Sequence, residues 1–383
     1  MTISKGWQST TLGKLGSFGK GCGLSGAQMT GNEFVTDEFN IPCIGYGDIY
    51  MKYNISFDKA RNFTSAEAVK TSEKISKGTL LFTATGETAL EIGKCVCYRG
   101  DEDIYVGGDI ITFNSSEVLP EFLAYQQYTK DLINIKSSWA QGHSVVHIRE
   151  KNLDKLPVMF PNSISEQQKI VEIIDQWQNG IALKTKLIEK LKEQRRGLMQ
   201  KLLTPKTGWK EIKLNKILKC TKSNHLIKEL KNKTGEFPVF GADGEASCNV
   251  DFFDFNENTI GIIQWGSGTG RVYYNTGKHS VLGTMAALRL KSNEANLMFM
   301  YYYLQQFDFK KYIEISTTPN MYFDAYGKEK VFIPNLDEQN KIVFVLSKID
   351  EQIGLYTKCI NQLKKQQTYL LENLLTGQLR VNA

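Results

Sequence analysis

The chain has 383 residues, 41% hydrophobic and 23% charged, with a net charge of +6. That length allows two ordinary domains plus connecting elements. No stretch approaches the roughly 18 apolar residues of a membrane span, and no secretory pattern is present at the start, so neither a membrane nor an exported protein is expected. The seven cysteines are scattered and odd in number, which reads as reduced thiols in a cytoplasmic protein.

A globular segment opens at Gly6-Trp7-Gln8-Ser9-Thr10-Thr11-Leu12. Ile41-Pro42-Cys43-Ile44-Gly45 follows, then a β-rich stretch over 78–86. Cys95 and Cys97 stand one residue apart on an expected strand. They lack a second pair and a histidine at zinc-finger spacing, so no metal site is expected. An aromatic helix over 122–128, a small-polar loop over 137–144 and a strand into Pro161-Asn162 complete the segment.

Residues 166–204 then carry an unbroken apolar ruler at 4-3-4-3 spacing: Ile170, Ile174, Trp177, Ile181, Ile188, Leu191, Leu198 and Leu202. That spacing predicts one long helix that needs a partner helix. The same succession returns. Gly208-Trp209 opens a second segment, Phe237-Pro238-Val239-Phe240-Gly241 follows, and a β-rich stretch covers 261–266. An aromatic helix over 299–307 and a strand into Pro334-Asn335 come next. A second ruler over 338–376 carries Ile342, Leu346, Ile349, Ile353, Tyr356, Ile360, Leu363, Leu370 and Leu374. Both rulers open on Glu-Gln-(Gln/Asn)-Lys-Ile-Val and close on Leu-Leu-Thr. Lys184 and Arg195 are polar seam positions, corresponding to Tyr356 and Gln367. Such residues fix register, or else snorkel to solvent.

The expected organisation is a globular domain over 1–163, a long helix over 164–206, a second globular domain over 207–335 and a second long helix over 336–383. The fold class is α+β: two β-rich domains with two long helices, paired antiparallel because the connections are short. A rise of 1.5 Å per residue gives each helix roughly 58 Å.

Catalytic signatures are absent from the sequence. No Gly-Lys pair is followed by Ser or Thr, no two prolines adjoin, and neither Gly-x-Ser-x-Gly nor His-Glu-x-x-His occurs. The glycine-rich run Gly266-Ser267-Gly268-Thr269-Gly270-Arg271 has no helix pattern after it, so a hairpin or loop fits better than a nucleotide fingerprint. His143 and His147 sit among Val145, Val146 and Ile148, which favours surface hydrogen bonding over metal ligation.

Two pairs of loops have the chemistry of a reading surface. The first holds Trp139, Gln141, His143 and Ser144 in one copy, and Ser316, Asn320 and Tyr322 in the other. Gln and Asn pair bidentately with adenine, and small hydroxyls contact phosphate. The second is the loop after the β-rich stretch, with Thr85 in one copy and Trp265, Ser267 and Arg271 in the other. Arginine reaches O6 and N7 of guanine. The alternative for both is ordinary solvated turns.

Taken together, these marks resemble the DNA-specificity subunits of type I restriction–modification systems. The resemblance spans nearly the whole chain. It rests on Gly-Trp-x(4)-Leu at each segment start, the glycine-bearing central strands, Gln141-Gly142, and the twice-repeated Pro…Glu-Gln-x-x-Ile-Val before each long helix. It implies two target recognition domains, each reading one half of a bipartite, asymmetric site in double-stranded DNA, with the helix pair setting the gap. It also implies a non-catalytic chain without its own cofactor. S-adenosylmethionine, ATP and Mg would sit on two modification (methyltransferase) subunits and on restriction (translocase/endonuclease) subunits. Ile170, Trp177, Ile349 and Tyr356 are the expected docking residues for those partners. The competing expectation is a non-enzymatic tandem-domain adaptor that binds proteins instead of DNA.

Overall fold

The two apolar rulers become two continuous helices, Ile164–Leu203 and Leu336–Leu375, of 40 residues each. Each starts two residues before its Glu-Gln motif, because a capping side chain stands just ahead of it. Ser163 Oγ accepts from the Glu166 N–H at 3.3 Å, and Asn335 Oδ1 accepts from the Glu338 N–H at 2.9 Å. The computed structural model describes residues 4–31, 35–314 and 317–381. Among these, no helix is long and apolar enough to cross a membrane.

The chain divides into two compact units, and each contains half of each long helix. The first is Met1–Lys184 with Cys359–Ala383; the second is Thr185–Lys358. In the first unit Ile170, Val171 and Ile174 share a core with Leu374 and Leu375, and Glu166 pairs with Arg380 at 2.7 Å. The start of one helix lies beside the end of the other. In the second unit Met199 and Leu203 share a core with Ile342 and Leu346, and Arg195 pairs with Asp350. There the end of the first helix lies beside the start of the second. Each unit taken alone therefore shows the helices pairing antiparallel. Burying an isoleucine or leucine of the ruler contributes about 1.5–3 kcal/mol.

Both globular parts are built on one plan. The first unit has a sheet ordered Gly16–Lys20, Ile110–Ser115, Leu80–Thr83, Cys95–Tyr98 and Ser56–Phe57. The second repeats it as Leu218–Lys222, Met285–Leu290, Thr259–Ile263 and Val272–Asn275. A further sheet in each holds the X-Pro strand, Phe39–Ile44 or Phe237–Phe240, beside a parallel neighbour. The opening Trp7–Thr11 strand pairs with Pro157–Pro161, just as Lys210–Lys213 pairs with Lys330–Ile333. The second unit is the leaner copy. The nine-residue helix Lys130–Ser138 of the first unit has only the short turn Lys310–Tyr312 as its counterpart.

The Glu-Gln motif earns its place through its glutamine. Gln167 donates to the Pro161 carbonyl at 2.9 Å and accepts from the Leu119 N–H at 2.8 Å. Gln339 donates to the carbonyls of Pro334 and Glu294 at 2.8 and 3.0 Å, and accepts from the Asn296 N–H at 2.7 Å. Both side chains are buried, at 1% and 0% exposure. Each latches the last strand to the foot of the aromatic helix, Pro120–Gln126 or Leu297–Gln305. The aromatic helix then meets the opening tryptophan edge-on: Trp7 with Phe122, Trp209 with Phe299.

Candidate nucleic-acid interface

In each unit the loop after the central strand is stitched to the loop ahead of the long helix. In the first unit Thr85–Gly86 pairs antiparallel with Val146–His147. Gln141 and His147 exchange backbone hydrogen bonds at 3.0 and 2.8 Å, and the Ile148 N–H donates to the Ala84 carbonyl. Thr85 Oγ1 lies 3.1 Å from His147 Nδ1. Gly142 makes this turn possible: its φ is +123°, and a Cβ there would fall 2.0 Å from the Val145 carbonyl oxygen.

The second unit repeats the stitching with other side chains. Trp265 bridges to Asn320, the Gly266 N–H donates to the Pro319 carbonyl, and the Met321 N–H donates to the Gln264 carbonyl. Glu314 and Asn320 exchange backbone hydrogen bonds at 2.9 and 3.3 Å. Gly266 has φ +101°, and the run 266–271 joins the antiparallel strands Thr259–Ile263 and Val272–Asn275 as a hairpin. Thr269 Oγ1 fastens it by donating to Gly266 and Pro319 carbonyls.

These pairings correct one correspondence. By hydrogen bonding, the counterpart of Asn320 is His147, and the counterpart of Gln141 is Glu314. The clue was in the spacing, since both pairs are six residues apart. His147 and Glu314 therefore join the candidate surface. Two further residues support it. The Tyr50 hydroxyl lies 2.7 Å from Thr83 Oγ1 and donates to the Thr85 carbonyl at 3.1 Å, fixing the first loop. Lys222 Nζ stands 4.6 Å over the Tyr322 ring, which meets Trp265 edge-on at 5.7 Å.

Among the expected reading residues, Gln141, His143, Ser144, Ser267 and Arg271 are exposed. Trp265 is 38% exposed. Thr85, Trp139 and Tyr322 are half-buried, and Trp139 packs against the core of its unit. Asn320 is buried; Ser316 lies outside the described residues. On the long helices, Ile170 and Ile349 are buried, whereas Trp177 and Tyr356 are half-buried. A buried side chain within its own unit presents no surface to a partner, so Ile170 and Ile349 hold the fold together.

A buried lysine anchors the first surface from behind. Lys136 Nζ donates to the carbonyls of Gly93 and Gln127 at 2.8 and 3.2 Å, and burial lowers its pKa to about 8. Its helix, Lys130–Ser138, leads straight into Trp139 and Gln141. Cys95 and Cys97 face the same core. Burial pushes the Cys95 thiol up to about 12, and Cys97 well above its ordinary value, which leaves both unreactive.

Residues 5–193 and 206–365 match the family of the type I restriction modification DNA specificity domain. The chain belongs to that family. Members supply recognition, not catalysis, to restriction–modification systems. The chain is similar to a protein of Mycoplasma pneumoniae named as a type I specificity subunit. The two are 26% identical over 282 residues, covering 68% of this chain and 75% of that one. It is also 21% identical to the specificity subunit of a type I restriction enzyme of Methanocaldococcus jannaschii, covering 85% and 86% of the two chains. Its fold is that of the crystallised S subunit of a type I system from M. genitalium, with a TM-score of 0.70, 20% identity and 98% of each chain covered.

Proposed function

We propose that this chain reads double-stranded DNA for a type I restriction–modification complex, each unit recognising one half of a bipartite, asymmetric site. The observation that carries the reading is the doubled stitching of loops. The backbone pairing is the same in both units, but the accessible side chains differ: Thr85, Gln141 and His147 in one, Trp265 and Glu314 in the other. Equal frames with unlike side chains suit two unlike half-sites. Sequence is read by such side chains at base edges, while phosphate contacts only position the protein.

The antiparallel long helices set the unread gap in this reading and dock two modification subunits, which bring S-adenosylmethionine and methylate the target. Restriction subunits join that assembly. Exposed apolar side chains on the helices, Leu183, Phe344, Leu355 and Tyr369, suit protein docking better than the buried seam. The globular domains over 1–163 and 207–335 are the readers.

Methylome sequencing of a host expressing this chain with a modification subunit tests the reading. Gln141→Ala is expected to relax one half of the methylated motif, and Arg271→Ala the other. Equal loss at both halves from either substitution would reject two independent readers.

A further inference from the structure

The second unit holds a cavity of about 750 Å³ between the last turns of helix Ile164–Leu203, the end of helix Leu297–Gln305 and the 266–271 loop. Its lining includes Lys192, Arg195, Arg196, Arg271 and Lys310, against one carboxylate, Asp308. Arg195 is committed to Asp350 and Gln305, and Lys192 is paired with Glu189 across exposed helix surface. Arg196, Arg271 and Lys310 have no ion pair among the described residues, and all three are exposed. Asp308 Oδ1 accepts from the Lys310 backbone N–H.

The first unit shows that the frame does not require this charge. Where its own aromatic helix ends near the second long helix, it has a cavity of about 620 Å³ lined by residues that include Tyr128, Lys130, Asp131, Thr368 and Glu372. Thr368 stands where the second helical ruler aligns with Arg196 of the first, and Glu372 where it aligns with Gln200. Glu372 is already engaged by the Lys130 N–H at 2.7 Å. One copy thus lines the cavity with mixed charge, and the other collects cations that the chain itself leaves unneutralised. Like charges gathered around an open cavity repel one another and favour an anion from outside.

We propose that this cavity holds a backbone phosphate of DNA bound at the 266–271 loop, with Arg196 and Lys310 as its principal ligands. The inference rests on the DNA-reading function proposed above. Duplex is favoured over an acidic protein because Arg271 belongs to both the cavity and the reading loop, so an anion seated here adjoins the bases read there. The clamp is a positioning device on one half-site only. It adds sequence-independent, salt-sensitive affinity that the first unit does not match.

The test measures binding of the full chain, assembled with modification subunits, to a random-sequence duplex over a range of salt concentrations. The double variant Arg196→Ala/Lys310→Ala is expected to flatten the dependence of log affinity on log salt by about 0.9 for each phosphate it no longer neutralises, with the methylated motif unchanged. The charge-preserving Arg196→Lys/Lys310→Arg pair should keep the wild-type slope, and Lys130→Ala in the first unit should leave it unaltered. A wild-type slope retained by the double variant overturns the clamp alone. The same retained slope with lost co-purification of modification subunits assigns the cavity to a protein partner. An equal flattening by Lys130→Ala overturns the asymmetry. Absence of salt-dependent duplex binding by the wild type overturns the DNA reading, and the clamp with it.

Discussion

The two units fasten their aromatic helices to the long helices by one device with differently sourced parts. In the first, the Tyr125 hydroxyl donates to Asp175 on the first long helix, and the cation beside that carboxylate is Arg99, from the end of a sheet strand. In the second, the Tyr302 hydroxyl donates to Asp350 on the second long helix at 2.8 Å, and the cation is Arg195 from the first long helix. The tyrosine is kept, the carboxylate has shifted three residues along its ruler (Asp175 aligns with Ser347, Asp350 with Gln178), and the arginine has moved from sheet to helix. Backbone pairings, the glutamine latch and the edge-on tryptophan persist in both units. Side chains that carry charge or face solvent do not. Geometry is therefore what the duplication retains, and surface chemistry is free to diverge, as a protein needs if its two readers address different sequences.

The largest expected effect tests what the units share. Gln167→Ala and Gln339→Ala each remove a side chain that satisfies buried backbone groups on both sides. An unpaired buried polar group costs about 1–3 kcal/mol, so each substitution should destabilise its own unit by roughly 3 kcal/mol. Chemical denaturation resolved by hydrogen exchange in each unit measures this. If Gln167→Ala lowered protection in the second unit as much as in the first, the latch would not be the local device described here.

Much of this frame was legible in the sequence. The rulers located both long helices, since a sustained 4-3-4-3 pattern has no competing structure. The helices stop at Leu203 and Leu375, short of the expected 206 and 383, because the rulers run to Leu202 and Leu374 and their spacing does not mark where the helix ends. The loops containing Gln141 and Asn320 were recognisable from composition, but their true correspondence depended on backbone hydrogen bonds. Seam residues were the least transparent. Ile170 and Ile349 share the spacing of docking positions, and spacing alone does not say whether the covering surface belongs to the same unit. The basic cavity was invisible because Arg196, Arg271 and Lys310 converge from three separate segments.

A difference between the units yields the next effect. Lys136 is a buried lysine on a nine-residue helix whose counterpart among the described residues of the second unit is the short turn Lys310–Tyr312. Its folded pKa, about 8, lies below the ordinary lysine value of 10.5, so burying the charge penalises the fold fully below pH 8. Between pH 8 and 10.5 the unfolded chain binds more protons than the folded one, and stability rises with pH. Relative to Lys136→Met, the wild type should gain roughly 2 kcal/mol in the first unit from pH 7 to pH 10, at 1.36 kcal/mol for each pKa unit. A pH-independent difference would place the ammonium in contact with water.

The smallest effect compares the two motif glutamates. Glu166 is buried and receives the Arg380 guanidinium at 2.7 and 2.8 Å, whereas the more exposed Glu338 meets Lys206 at 3.6 Å. A two-pronged, charge-assisted pair is the stronger kind, and a long, solvated lysine pair contributes little. Arg380→Ala should cost the first unit about 1 kcal/mol at neutral pH, and Lys206→Ala close to nothing in the second. Arg380 holds the Glu166 carboxyl below its usual range, so this contribution is present above the ordinary carboxylate pKa and is lost as the pH falls through the folded value. Unfolding of Arg380→Ala and wild type should therefore converge in acid. Divergence that persisted there would mean that the arginine acts through its packing and its hydrogen bond to the Lys5 carbonyl, not through the carboxylate it faces.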